Sequence, residues 1–95
     1  MAADSKHRKE RVETAIMGYV REQFMNATDP EKVVAPETHL FQEGIVDSIG
    51  VLLLVRFVEE HFGFSVRPAD LVLEHFSSVR AMRDFVVARI SHGEL

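Results

Sequence analysis

The nucleophile with the most informative setting in this sequence is the hydroxyl of Ser48. It follows Asp47 at the end of a loop segment, Phe41-Gln42-Glu43-Gly44-Ile45-Val46. After it comes the most apolar stretch of the chain, Val51 to Phe62, which reads VLLLVRFVEEHF and holds neither glycine nor proline. Asp47 is a good helix N-cap, because its carboxylate accepts hydrogen bonds from the free amides of a first turn and suits the positive end of the helix dipole. Ser48 is then the first helical residue, with its hydroxyl directed outward. Two readings of the pair stand side by side. In one, Asp47-Ser48 only caps a helix. In the other, a rigid element presents a hydroxyl to an external enzyme.

Other chemistry is poorly supported. The hydrolase elbow G-x-S-x-G is missing, since Val46 stands where its first glycine belongs. His7, His39, His61, His75 and His92 are scattered, and no H-E-x-x-H spacing or other metal-ligand pattern occurs. Glu59 and Glu60 are helix neighbours that point in different directions, unlike a carboxylate dyad. No glycine-rich phosphate loop is present, and the chain has no cysteine, which removes thiolate metal sites and disulfides. The expectation is a domain without catalysis of its own.

The elements that hold Ser48 read as helices. From about Arg8 to Met25 the apolar residues Val12, Ile16, Tyr19, Val20 and Phe24 recur at three and four, and Thr28-Asp29-Pro30 ends the pattern. A long connection runs from Asn26 to Asp47, with Leu40, Phe41 and Ile45 as its expected anchors. A turn after Pro30 can involve Val33 and Val34, and a second, over His39–Gln42, closes at a left-handed Gly44. The second helix spans Ser48 to His61 or Phe62, with Gly63 as its stop. Its expected core face is Val51, Leu54, Val55, Val58 and Phe62. Pro68 to Leu73 makes a brief third helix with proline in its first turn. Ser77 or Ser78 caps a last helix from Val79 to Ile90 or Ser91, with Val79, Met82, Phe85, Val86 and Ile90 inward. No stretch alternates long enough for a sheet. The expected fold is an all-α, four-helix bundle with three main helices, one short third helix and a long first loop. The domain covers residues 8–91, between a loose tail at 1–7 and a frayed end at 92–95.

Composition narrows the function. Ninety-five residues make one small domain with one modest core, and the 46% apolar and 27% charged content is that of a globular protein. A formal net charge of -4 weighs against a nucleic-acid partner, despite the basic cluster Lys6, His7, Arg8, Lys9 and Arg11. That cluster reads as a solvated helix start. The N-terminal MAADSKHRKE carries no apolar stretch of a secretory signal, and no run is long enough to span a bilayer. A cytoplasmic monomer is expected.

The run Leu40-Phe41-Gln42-Glu43-Gly44-Ile45-Val46-Asp47-Ser48-Ile49, followed by an apolar helix ending Glu59-Glu60-His61-Phe62, resembles the acyl carrier protein family, which includes peptidyl and D-alanyl carriers. The similarity runs from about Val12 to Ile90. It implies that Ser48 receives 4'-phosphopantetheine from coenzyme A, and that Asp47 helps a phosphopantetheinyl transferase and its magnesium ion engage the serine. The arm then supplies the thiol this chain lacks, and cargo rides on it as a thioester. Implied partners are that transferase, an acyl- or aminoacyl-loading ligase and downstream acyl-processing enzymes. Carriers of bacterial fatty-acid synthesis usually place acidic residues just after the serine. Here Gly50, Val51, Leu52 and Leu53 follow, and Arg56 is basic. That departure favours a specialised pathway, such as polyketide or nonribosomal peptide assembly or aminoacyl transfer.

Ile49, Leu52, Leu53 and Arg56 share one helix face beside Ser48 and form the candidate partner surface. The alternative for Leu52 or Leu53 is packing under the long loop. The alternative for the whole chain is a small helical interaction module without a prosthetic group.

Overall fold

The computed structural model describes residues 2–25 and 34–91. Among them are three α-helices and no strand: α1 (Ala2–Val20), α2 (Ser48–Phe62) and α3 (Val79–Ser91). A π-helical turn, Arg21–Met25, extends α1, and two 3₁₀ turns, Pro68–Asp70 and Leu73–Phe76, lie between α2 and α3. The fold is all-α, as the periodicity predicts. Asn26–Val33, including the expected turn after Pro30, and the end from His92 lie outside the described residues.

The first helix begins earlier than the sequence reading places it. Residues 2–7, expected as a loose tail, continue the helix. Their polarity suggests a tail, but nothing from Ala2 to His7 breaks a helix, and alanine favours one. The basic residues His7, Arg8, Lys9 and Arg11 are exposed along it.

The core is built where the three helices converge, with α1 packed along α3. Val12, Ile16 and Val20 of α1 meet Leu54 and Val58 of α2 and Val79, Met82, Phe85 and Val86 of α3, all buried. The inward line of α2 is narrower than its five-residue stripe predicts. Gly50, Leu54 and Val58 are buried at a spacing of four, while Val51, Val55 and Phe62 are half-buried. In α1, Tyr19 and Phe24 are likewise half-buried. Tyr19 stacks on Phe57 of α2, with ring centroids 4.2 Å apart. Its hydroxyl donates to the Leu53 carbonyl at 3.3 Å. Burial pushes the Tyr19 phenol above its ordinary range, with Arg56 opposing the shift and Glu60 adding to it.

The long loop is pinned by both side chains and backbone. Leu40 and Ile45 are buried as expected, and Val34 and Val46 join them. Phe41 is half-buried against this core. The Leu40 amide donates to the Ser77 carbonyl at 2.7 Å, and the Arg80 amide, in the first turn of α3, donates to Pro36 at 2.8 Å. The second bond satisfies one of the amides a helix start leaves without an internal partner. Ser78 satisfies another, since its Oγ accepts from the Ala81 amide at 3.0 Å. The loop closes on itself where Ile45 and Val46 both donate to the Leu40 carbonyl, just after Gly44 at φ 72°.

The expected short third helix is realised as two 3₁₀ turns. Leu71, at φ -81° and ψ 64°, forms an inverse γ-turn in which the Val72 amide donates to the Asp70 carbonyl at 2.9 Å. Long-range polar contacts fix this geometry. Arg89 of α3 donates to the Asp70 carboxylate at 2.8 Å and to the Ser65 carbonyl at 3.1 Å. Arg67 reaches the same carboxylate at 3.2 Å, and His75 Nδ1 lies 2.9 Å from the Asp70 carbonyl. The Val66 amide donates to Glu59 of α2 at 2.8 Å. Burial acts to raise the Asp70 pKa, but the bonds and charges of Arg67, with the charge of Arg89, hold it below the usual carboxylate range.

Candidate functional site

The junction between loop and α2 has the geometry that its residues predict. Asp47 is extended, at φ -108° and ψ -172°, and its Oδ1 accepts from the Gly50 amide at 2.8 Å. Its carbonyl accepts from the Val51 amide at 3.1 Å, the first α-helical bond of α2. Ser48 is the first helical residue and is exposed. At the far end Gly63, left-handed at φ 76°, closes α2 by donating to the Glu59 carbonyl. A 15-residue helix is thus fixed at both ends, with its serine at the positive end of the dipole.

The side chains around Ser48 divide into two faces. Ile49 and Leu52 are 70% and 67% exposed, and Leu53 is 36% exposed. Neither leucine is buried beneath the loop, so the packing alternative does not hold. Arg56 shares their face and pairs with Glu60 one turn on, at 3.1 Å, with both side chains largely in solvent. Such a pair contributes little and is readily exchanged. The candidate residues Ile49, Leu52, Leu53 and Arg56 therefore do lie together beside the serine.

A second exposed apolar group lies outside the candidate face. Leu71, Val72 and Leu73 are 51%, 40% and 62% exposed on the linking turns. The signal was available, because three consecutive apolar residues on a helical turn cannot all face a core. Among the described residues there is no cluster of histidine and carboxylate able to hold a metal ion. Nor is any described helix long and apolar enough to cross a membrane.

Ser48 thus lies exposed at a capped helix end, flanked by exposed apolar side chains. Comparison with known proteins gives the family. Residues 16–86 match the family described as phosphopantetheine attachment site, and the chain belongs to that family. It is 37% identical over 78 residues to Acyl carrier protein 2 of Ralstonia nicotianae, covering 80% of this chain and 89% of that protein. It is also 42% identical over 52 residues to the nonribosomal peptide synthetase-like enzyme fsqF of Aspergillus fumigatus. That match covers 55% of this chain but only 3% of the enzyme. The structure is similar to one described as KstB-PCP(apo), with a TM-score of 0.64 and 31% identity over 79% of this chain and 81% of the other. The protein is thus a carrier for substrates attached through 4'-phosphopantetheine, of a family that is generally non-catalytic. Carrier membership implies an encounter with a phosphopantetheinyl transferase.

Proposed function

We propose that Ser48 is the residue that receives 4'-phosphopantetheine, and that the domain serves acyl or aminoacyl transfer in a specialised pathway. The observation that carries the assignment is the placement of Ser48. It is exposed on the first turn of a helix whose Gly50 amide is already engaged by the Asp47 carboxylate. The hydroxyl need not be withdrawn from a structural bond to the helix for the domain to stay capped. A phosphodiester there also fits the site, since its negative charge meets the positive end of α2. In the transfer, Ser48 Oγ forms a bond to the phosphorus of coenzyme A that bears the pantetheine. The diphosphate P–O bond breaks, adenosine bisphosphate leaves, and the serine proton passes to the transferase. The attached group supplies a thiol that holds cargo as a thioester.

Partner recognition is assigned to Ile49, Leu52, Leu53 and Arg56. The apolar character of Ile49, Leu52 and Leu53 supports docking by buried area, with Arg56 able to pair with an acidic partner group, rather than docking by acidic residues that read basic patches. The similarity to a nonribosomal peptide synthetase-like enzyme favours the same direction.

The test is intact mass after incubation of the apo protein with coenzyme A and a broad-specificity phosphopantetheinyl transferase. The wild type gains one phosphopantetheine, and Ser48→Ala gains none while keeping its helical content. Modification of the alanine variant would place the site elsewhere.

A further inference from the structure

Gly50, two residues after the serine, is not explained by the cap or by the backbone. It sits in ordinary helical geometry, since the positive-φ glycines among the described residues are Gly44 and Gly63. A glycine inside a helix costs roughly 0.5–1 kcal/mol relative to alanine. The space that a side chain would take is already filled. A Cβ on Gly50 would come within 2.9 Å of Phe24 Cε1, 2.9 Å of Val46 Cγ1 and 3.3 Å of Asp47 Oδ1. Three separate parts therefore meet on one bare Cα: the π-turn that ends the first helical segment, the end of the long loop, and the capping carboxylate.

Phe24 is connected further. Its ring meets Tyr19 edge-on at 6.2 Å, and Tyr19 in turn holds α2 through Phe57 and the Leu53 carbonyl. The end of α1 thus touches α2 at two levels, one beside the cap and one a turn further along. Contact at two levels fixes a helix's direction as well as its place. The π-turn itself, Arg21–Met25, is of a kind found frequently at functional sites.

We propose that Phe24 and Gly50 form a positioning contact for the modification of Ser48. The aromatic ring seated on the glycine sets the first turn of α2, and with it the direction from which Ser48 Oγ meets the transferase. The inference rests on the assignment of Ser48 above. It makes Gly50→Ala a substitution that gains helix propensity and loses reactivity. The added methyl must displace the Phe24 ring, the buried Val46 or the Asp47 carboxylate, each of which borders the serine's turn.

The test is steady-state transfer from coenzyme A to the apo protein, at a temperature where circular dichroism shows each variant folded. Gly50→Ala and Phe24→Leu each lower kcat by about tenfold or more, as small misplacements of reacting groups do. KM stays within about twofold, because Ile49, Leu52 and Leu53 keep their exposure. The two substitutions are coupled, so Phe24→Leu adds little once Gly50→Ala is present. Wild-type kcat in both single variants, or a loss confined to KM, overturns the proposal while leaving the Ser48 assignment intact. If Gly50→Ala does not fold, kcat of Phe24→Leu decides alone. If the wild type is not modified, or Ser48→Ala still is, the assignment of Ser48 fails and this inference with it.

Discussion

Removing the carboxylate of Asp47 tests the junction most directly. Asp47→Ala deletes the acceptor that binds the Gly50 amide at 2.8 Å. Loss of an N-cap costs about 0.5–2 kcal/mol. Gly50 is buried, under Phe24 and Val46, so water cannot readily replace the lost acceptor. An unsatisfied buried donor costs about 1–3 kcal/mol, which points to the upper half of the capping range, about 1–2 kcal/mol. For a domain of this size, each kcal/mol corresponds to roughly 4–8 °C in melting temperature. Asp47→Ala should thus melt about 4–16 °C below the wild type in thermal circular dichroism. Asp47→Asn keeps an oxygen acceptor and loses only the charge at the helix start, about 0.3–1 kcal/mol. It should therefore melt clearly above the alanine variant. On the expectation that the Asp47 carboxylate helps the transferase and its magnesium ion engage Ser48, both variants should be modified slowly in the transferase assay. An alanine variant that melts with the wild type, or an asparagine variant that melts no higher than alanine, would refute the capping argument.

The two faces of α2 should separate cleanly in mutation. Leu54→Ala, at a fully buried position, should cost about 2–5 kcal/mol in chemical denaturation, whereas Leu52→Ala should stay within about 0.5 kcal/mol of wild type. Leu53→Asp and Leu52→Asp should keep near-native melting but weaken cargo transfer from the loading enzyme, and unfolding by either would assign that leucine to the core. Asp70 has a lowered pKa in the folded state, so its contribution to stability is fully present above the ordinary value of about 3.9 and is lost as pH falls through the lower folded value. The protection factors of the hydrogen-bonded amides in residues 66–75 should fall over that acid range in the wild type, while Asp70→Asn should show low protection already at neutral pH; equal protection in both proteins at neutral pH would remove Asp70 as the anchor of this segment.

Local chemistry made much of the site legible. Asp47 as cap, Ser48 as first helical residue and Gly63 as stop depend only on residues within one turn of each other, and all three stand as read. Leu40 and Ile45 could be named as loop anchors because large apolar residues in a long polar connection have few other uses. What escaped the reading depends on partners distant in sequence. The Leu40 and Arg80 amides donate to the carbonyls of Ser77 and Pro36, which no side-chain pattern announces. The break at Leu71 follows from Arg89 holding Asp70, 19 residues away. Gly50 looked like a missing acidic residue and is instead a point of close packing with Phe24 and Val46. The start of α1 at Ala2 lies earlier than the apolar periodicity marks, because the residues before Arg8 are polar yet contain no helix breaker.

The polar fastening of the segment between Phe64 and Phe76 has a consequence for how such a protein can change. Every residue from Ser65 to His75 is at least partly exposed, and the two phenylalanines that bracket them are buried. Asp70, Arg67, Arg89 and Glu59 hold the path of the chain by polar contacts, while Leu71, Val72 and Leu73 are 51%, 40% and 62% exposed. Exchanges at those three positions should cost little stability, as surface substitutions generally do. Substitution on this surface can therefore proceed almost independently of selection on folding. A laboratory library restricted to the same three residues would begin from a population that is nearly all folded.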